Sequence, residues 1–452
     1  MARPDLISLR RRLSGAPTAF VVRIAGRGLA FLAAIVTARA LGVEQYGVYA
    51  YAIAWTAVLL APSMLGFNTL LVRYIPTYRA RGDPSRVRGL VRHAHRVVTP
   101  LALGLAAAAA LVAGLTVDRT YLVALLIALP IVPIRAVTSI SVGVLQALHR
   151  PDLSFVPVFI VFPAGMIVGV GALTLLGVSI GAELAVTIAV GATALGLAVG
   201  ARSARRFLRP VTAGVEIRSD VPEWRRALGP LTAVAVIVAA SAQVGLIMLG
   251  AIGTPAEVGV FQAASKLAEP VGLVFLAVTV ATAPRLATLH ELGNRDGLSA
   301  AARRAARASL YYSLPLAAVV VAGQGPLLGF FGSGFESGGA ALTILVGAQV
   351  LNAFAGSVGN VLLMTGHGAA VAWTRGGALT LNVLLCIALI PPLGIEGAAV
   401  ASAVDTVVWN ALLAVVVWRR LGINATALPW PRRRPSAAGA PREALVDPSS
   451  ER

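Results

Sequence analysis

Apolar runs of about 20 residues, the length that carries a helix across a hydrocarbon core, recur about twelve times along this chain. They cover residues 19–41, 48–71, 97–117, 121–147, 154–177, 181–201, 228–251, 258–284, 309–331, 339–363, 372–392 and 397–418. The polar gaps between them alternate in character. Every second gap is rich in arginine: Arg10 to Arg12, Arg73 through Arg96, His149-Arg150, Arg202 through Arg226, Arg285 through Arg307, His367 to Arg375, then Arg419-Arg420. The intervening gaps are short and slightly acidic, holding Glu44, Asp118, Glu183, Glu257, Glu336 and Glu396. Cytoplasmic loops of helical membrane proteins retain Lys and Arg, and outer loops do not. The pattern therefore predicts an all-α polytopic membrane protein with about twelve transmembrane helices and both termini cytoplasmic.

Composition excludes the other broad classes. Of 452 residues, 57% are hydrophobic and only 13% are charged, too apolar for a soluble domain. The net charge of +19 is dispersed over many loops without the aromatic interleaving of a base-stacking surface. It points to anionic lipid as the partner and to no nucleic acid. One cysteine, Cys386, rules out disulfides and thiolate metal sites. No Gly-x-x-x-x-Gly-Lys-Ser/Thr loop for a nucleotide is present, and no cofactor is expected. The first apolar run has full span length and no cleavage site after a short core, so it is expected to stay in the membrane.

The runs group into a basic leader (1–18), a first six-helix lobe (19–201), a cytoplasmic interlobe loop (202–227), a second six-helix lobe (228–418) and a Pro, Arg and Ser-rich tail (419–452) expected to be disordered. Leu6, Leu9 and Leu13 give the leader helical spacing beside Arg10 to Arg12, the signature of a short helix on the membrane surface or of a basic disordered arm. The halves share a pattern. Gly47-Val48-Tyr49 followed by Arg73 matches Gly259-Val260-Phe261 followed by Arg285, and Arg92 matches Arg304 at the same offset. Gly181-Ala182 opens the sixth run as Gly397-Ala398 opens the twelfth. An even number of runs separates the copies, which predicts a parallel repeat with a site at the interface between lobes.

Ionisable groups inside spans cost about 2.5 to 3.5 kcal/mol each on insertion scales and mark pathways or partners. Arg23 and Arg27 lie one turn apart on one face of the first run, where they either snorkel to headgroups or face a cavity. Arg135 sits near the middle of the fourth run, as half of a buried pair or as a substrate contact. Lys266 precedes Glu269 by three residues in the eighth run, close enough to neutralise it. Asp405 in the twelfth is either an arginine's partner or a protonatable coupling site. The excess is cationic, and guanidinium groups bind phosphate through paired, charge-assisted hydrogen bonds, so the set suits an anionic, phosphorylated substrate. Arg23, Arg27, Arg135 and Lys266 are the candidate substrate-binding residues, and Glu269 and Asp405 the candidate ion-coupling residues. Gln243, Gln324, Gln349, Asn352, Asn360 and Asn382 read chiefly as interhelical hydrogen-bond groups.

Thr37-Ala-Arg-Ala-Leu-Gly-Val-Glu-Gln-Tyr-Gly-Val-Tyr49, then Leu65-Gly-Phe67 and Leu71-Val-Arg-Tyr-Ile75, resembles the opening of the oligosaccharide flippase and polysaccharide export family. That family belongs to the multidrug, oligosaccharidyl-lipid and polysaccharide (MOP) exporter superfamily. Gln146-Ala-Leu-His-Arg150 and Leu393-Gly-Ile-Glu-Gly-Ala398 are similar to its later signatures. The resemblance implies two six-helix lobes in a V around a central cavity, and alternating access that moves polyprenyl-diphosphate-linked sugars across the cytoplasmic membrane for surface polysaccharide. A polysaccharide-synthesis complex is an implied partner. Relatives flip lipid II or export drugs by cation antiport, and these are the competing readings. A membrane glycosyltransferase fits less well, because the outer loops are only a few residues long, and a non-transporting scaffold is the remaining alternative.

Overall fold

In the computed structural model, which describes residues 6–218, 220–364, 368–423 and 426–427, every regular element among the described residues is helical. The first half contributes α1 (Leu6–Met64), α2 (Phe67–Ala80), α3 (Pro84–Thr116), α4 (Arg119–Ala128), α5 (Ile131–Ala147), α6 (Pro151–Ser154), α7 (Phe162–Leu175) and α8 (Ala182–Thr212). The second half contributes α9 (Val221–Ile252), α10 (Pro255–Glu291), α11 (Arg295–Ala322), α12 (Gln324–Gly329), α13 (Gly339–Ala355), α14 (Val358–Met364) and α15 (Gly368–Leu421). Ten helices among the described residues are long and apolar enough to cross a membrane. Leu175, 90% exposed, and Trp373, 82% exposed, belong to an apolar surface that only lipid would cover.

Two of the ten, Val22–Met64 and Gly368–Arg420, run 43 and 53 residues, about twice what one crossing needs. Each is broken inside by a glycine in the left-handed half of backbone space, Gly42 (φ 73°) and Gly394 (φ 53°). Where the sequence predicts loops at 42–47 and 393–396, the helix is interrupted only by a kink at one glycine, whose positive φ a residue without a Cβ adopts freely.

Three more boundaries differ from the sequence reading. The run at 48–71 ends as a helix at Met64, and Leu65 and Gly66 turn the chain with positive φ. The apolar residues beyond are the buried face of α2, formed by Phe67, Leu70, Leu71, Ile75 and Tyr78. The segment read as an interlobe loop (202–227) is mostly helical, since α8 runs to Thr212 and α9 starts at Val221. Its Trp224 is fully buried and donates its indole N–H to the Tyr78 hydroxyl at 2.9 Å, while Arg86 reaches Asp220 at 3.7 Å. The leader is helical from Leu6 and continuous with the first crossing, and the tail from residue 428 onward lies outside the described residues.

Polar caps fix the short turns. Asp83 accepts from the Arg86 N–H, Asp118 from Thr120 and Asn294 from Gly297, and Thr254 and Glu257 form a reciprocal capping box at the start of α10.

The buried side chains fall into three clusters. One cluster draws on both halves, from Ala33 to Ala401, and lies toward the helix ends joined by the short acidic turns. The other two lie toward the basic loops and do not mix: one holds only residues between Phe67 and Leu228, the other only residues between Leu286 and Ile423. The halves are therefore joined through the shared cluster, and toward the basic loops they meet again only where the start of α9, through Trp224 and Leu228, packs into the first half's cluster. The joint is tight where the matched glycines meet. A Cβ on Gly47 would overlap the Pro255 carbonyl, and a Cβ on Gly259 would overlap the Val43 carbonyl. The contact is reciprocal: adding 212 to 47 and 43 gives 259 and 255. Next to this seam Phe331 and Phe335, from the connection between α12 and α13, pack edge-on against Phe31 and Tyr46 of α1, with ring centroids 6.0 and 5.9 Å apart.

Candidate functional site

Toward the basic loops α1 and α10 line a chamber of about 530 Å³. Arg23 and Arg27 stand in the first turns of the crossing part of α1, four residues apart and so on one face. Across from them α10 presents Lys266 and Glu269, whose Nζ and Oε1 meet at 2.5 Å. Arg23 lies over the Phe155 ring, 5.0 Å from its centre. Arg27 feels Arg23 as a like charge and Glu269 as an opposite one, without forming an ion pair. Among the described residues, no carboxylate lies within 4.0 Å of either arginine.

Among the described residues, three cations thus share the chamber with one carboxylate, and that carboxylate is held by Lys266. Two guanidinium forks remain free to bind, in a space partly withdrawn from water where charge-assisted hydrogen bonds are strengthened. The rest of the lining is apolar, with Ile24, Phe31, Leu273 and Val280 among it. Such a surface suits a molecule with an anionic group beside a hydrocarbon chain.

The other two predicted site residues lie elsewhere. Arg135 on α5 lines a separate space of about 140 Å³ inside the first half. Asp405 on α15 is 5% exposed in its side chain and pairs with Arg375 at 3.1 Å. Arg375 also lies 4.6 Å from the centre of the Trp409 ring. Asp405 thus has the arginine partner that was one of its two sequence readings, and it does not line the α1–α10 chamber. The sequence reading missed Arg375, which it counted among the loop cations running from His367. Nearby, Asn410 donates to Asn352 at 3.0 Å, tying α15 to α13 in the interhelical role expected of Asn352.

A buried ion pair that loses one partner leaves an uncompensated charge, at a cost of about 3–5 kcal/mol, whereas removing both charges is often neutral. Arg375→Gln is therefore expected to lower the unfolding temperature sharply, and Arg375→Gln with Asp405→Asn to restore most of the loss. Thermal unfolding of the purified variants in detergent measures both.

The polysaccharide biosynthesis protein family model matches residues 13–290, more than half of the chain. The chain belongs to that family. No curated protein matches it significantly. Among solved structures it is similar to the lipid II flippase MurJ in an inward closed conformation, with a TM-score of 0.70, 14% identity, and 88% of this chain and 87% of that one covered. It is also similar to an inward-facing multidrug resistance MATE family transporter of the MOP superfamily (TM-score 0.66, 13% identity, 89% and 98% covered). A third match is a MOP superfamily transporter from Pyrococcus furiosus described as having a binding pocket of reverse polarity (TM-score 0.65, 14% identity, 91% and 95% covered). At these identities the likeness establishes the fold, which is that of the MOP transporters. The family and the fold agree with the resemblance read from the Thr37–Tyr49 segment.

Proposed function

We propose that this polysaccharide biosynthesis family member is a flippase that carries a polyprenyl-diphosphate-linked oligosaccharide across the cytoplasmic membrane by alternating access. The observation that carries this reading is the pairing of Arg23 and Arg27 from one half with Lys266 from the other around a single chamber that is shut at the opposite face. Residues 19–201 and 228–418 act as the two lobes. The long helices broken at Gly42 and Gly394 each cross twice, which makes twelve crossings, with both termini on the cytoplasmic side with the basic loops. The reciprocal Gly47 and Gly259 contacts support a parallel repeat whose axis runs along the membrane normal.

The diphosphate sits on Arg23 and Arg27, the sugars extend toward the basic loops and the polyprenyl chain runs along the apolar lining into lipid. Lys266 adds positive charge while holding Glu269 neutralised. Closing the basic face and opening the glycine seam then delivers the head group to the other leaflet. A cation-coupled drug exporter fits less well, because the only carboxylate among the described lining residues is already paired. The protein needs no catalytic group for this role, and assembly with the enzymes that make and polymerise its substrate follows from the pathway class.

The test reconstitutes the full chain in vesicles with a short-chain polyprenyl-diphosphate sugar and a sugar-modifying enzyme outside. The expected result is that the inner pool becomes accessible at a rate proportional to protein. A protected pool that stays constant at every protein density overturns the proposal.

A further inference from the structure

Arg135 occupies the middle of the fourth crossing with no counter-ion among the described residues. Among the described residues its guanidinium makes no ion pair within 4.0 Å and no hydrogen bond. It faces a space of about 140 Å³ lined also by Thr138, Ser139, Pro157, Thr193 and Gly196, from α5, α8 and the π-helical turn Pro157–Val161. This space shares no lining residue with the α1–α10 chamber. Thr138 and Thr193 give their hydroxyl protons to the Ile134 and Ala189 carbonyls of their own helices, at 2.8 and 2.7 Å. That leaves the Arg135 fork and the Ser139 hydroxyl as the donors aimed into the space.

Two features of the backbone keep the space open. The π-helical turn widens the helix before α7, a distortion often found at binding sites. Gly196 presents no side chain toward the Pro157 carbonyl, which would lie 3.1 Å from a Cβ there.

An unpaired cation at mid-membrane depth costs several kcal/mol unless an anion compensates it. With a water filling about 30 Å³ of liquid, a space of this size takes one small ion with a few waters. We infer that Arg135 and Ser139 form a binding site for a small inorganic anion within the first lobe, separate from the interlobe chamber. The anion neutralises Arg135 and is exchangeable, so occupancy follows the anion concentration. This site goes beyond the flippase reading and stands without it.

The test measures thermal unfolding of the full chain in nanodiscs as sodium gluconate is replaced by sodium chloride, or by sodium phosphate, at constant ionic strength. The expected result is a saturable rise of about 3 °C with chloride. Arg135→Gln is expected to abolish the rise, Ser139→Ala to raise the half-maximal concentration several-fold, and Arg27→Gln to leave it intact. A flat response of the wild-type protein to both anions overturns the proposal, as does a response that Arg27→Gln removes and Ser139→Ala does not change. Because the wild-type and Ser139→Ala curves decide the matter, it stays testable if Arg135→Gln does not fold. A third arm adds a short-chain polyprenyl diphosphate to chloride-saturated protein. An unchanged chloride midpoint is expected, and competition would instead assign the space to the lipid's phosphates. Vesicle flipping is a separate readout, so loss of one result does not imply loss of the other.

Discussion

Arg27→Gln is expected to slow flipping by about tenfold to a hundredfold, the equivalent of one lost charge-assisted hydrogen bond of about 1.5–3 kcal/mol. The loss should exceed that of Arg23→Gln, because Arg23 rests against Phe155 near the membrane surface while Arg27 stands one turn deeper in the chamber. Arg27→Lys should fall between the two, since an ammonium keeps the charge and loses the bidentate geometry. Glu269→Gln provides the opposite sign: freeing Lys266 raises the positive charge of the chamber and should hold or improve substrate affinity. Initial rates in vesicles at several substrate densities measure the whole series. Equal rates for Arg27→Gln and the wild type would remove Arg27 from the substrate's path.

The second large effect is expected at the seam. A valine at Gly47 has to displace the Pro255 backbone, and a valine at Gly259 the Val43 backbone, with no flexible side chain to give way. Overpacking of this kind costs about 1–3 kcal/mol, so either change should shift the balance toward a form open at the seam by about tenfold to a hundredfold. Ala50 lies one turn from Gly47 on the same face and is buried. In a Cys386→Ala background, Ala50→Cys should react slowly with a membrane-impermeant thiol reagent added to the face opposite the basic loops. Adding Gly47→Val should speed that reaction by a comparable factor. Gly104→Val, at a position with open space around it, should have no effect. Equal reactivity in all three backgrounds would mean that the seam does not gate that face.

The seam is also where the sequence was most legible. Gly47 and Gly259 stood out as matched positions, and the structure brings that pair into one contact because neither has a Cβ to hold the helices apart. Arg23, Arg27, Lys266 and Glu269 could be read because each breaks an apolar run, and charge inside a run stands out against that background. Arg375 carries the same charge but falls at the end of a basic stretch, where positive-inside sorting already accounts for it. Nothing local ties it to Asp405, 30 positions later. Trp224 was hidden for a similar reason: its partner Tyr78 is 146 residues away, so the interlobe segment reads as a loop although it packs as helix. The gaps around 42 and 394 read as loops because a polar break in an apolar run does not reveal whether the helix is interrupted over several residues or at one. Arg135 had the right signal, charge in a run, but the sequence could not say which of two spaces it lines.

The most direct test of the central claim is a photo-crosslink from the substrate itself. A polyprenyl-diphosphate sugar carrying a small photoreactive group next to the diphosphate is bound to the full chain, irradiated, and the labelled peptides are identified by mass spectrometry. Labelling is expected to concentrate in residues 22–31 of α1 and 266–280 of α10, to be competed by unlabelled substrate and to be strongly reduced in Arg23→Gln with Arg27→Gln. Competed labelling confined to other helices, with those two segments untouched, would contradict it.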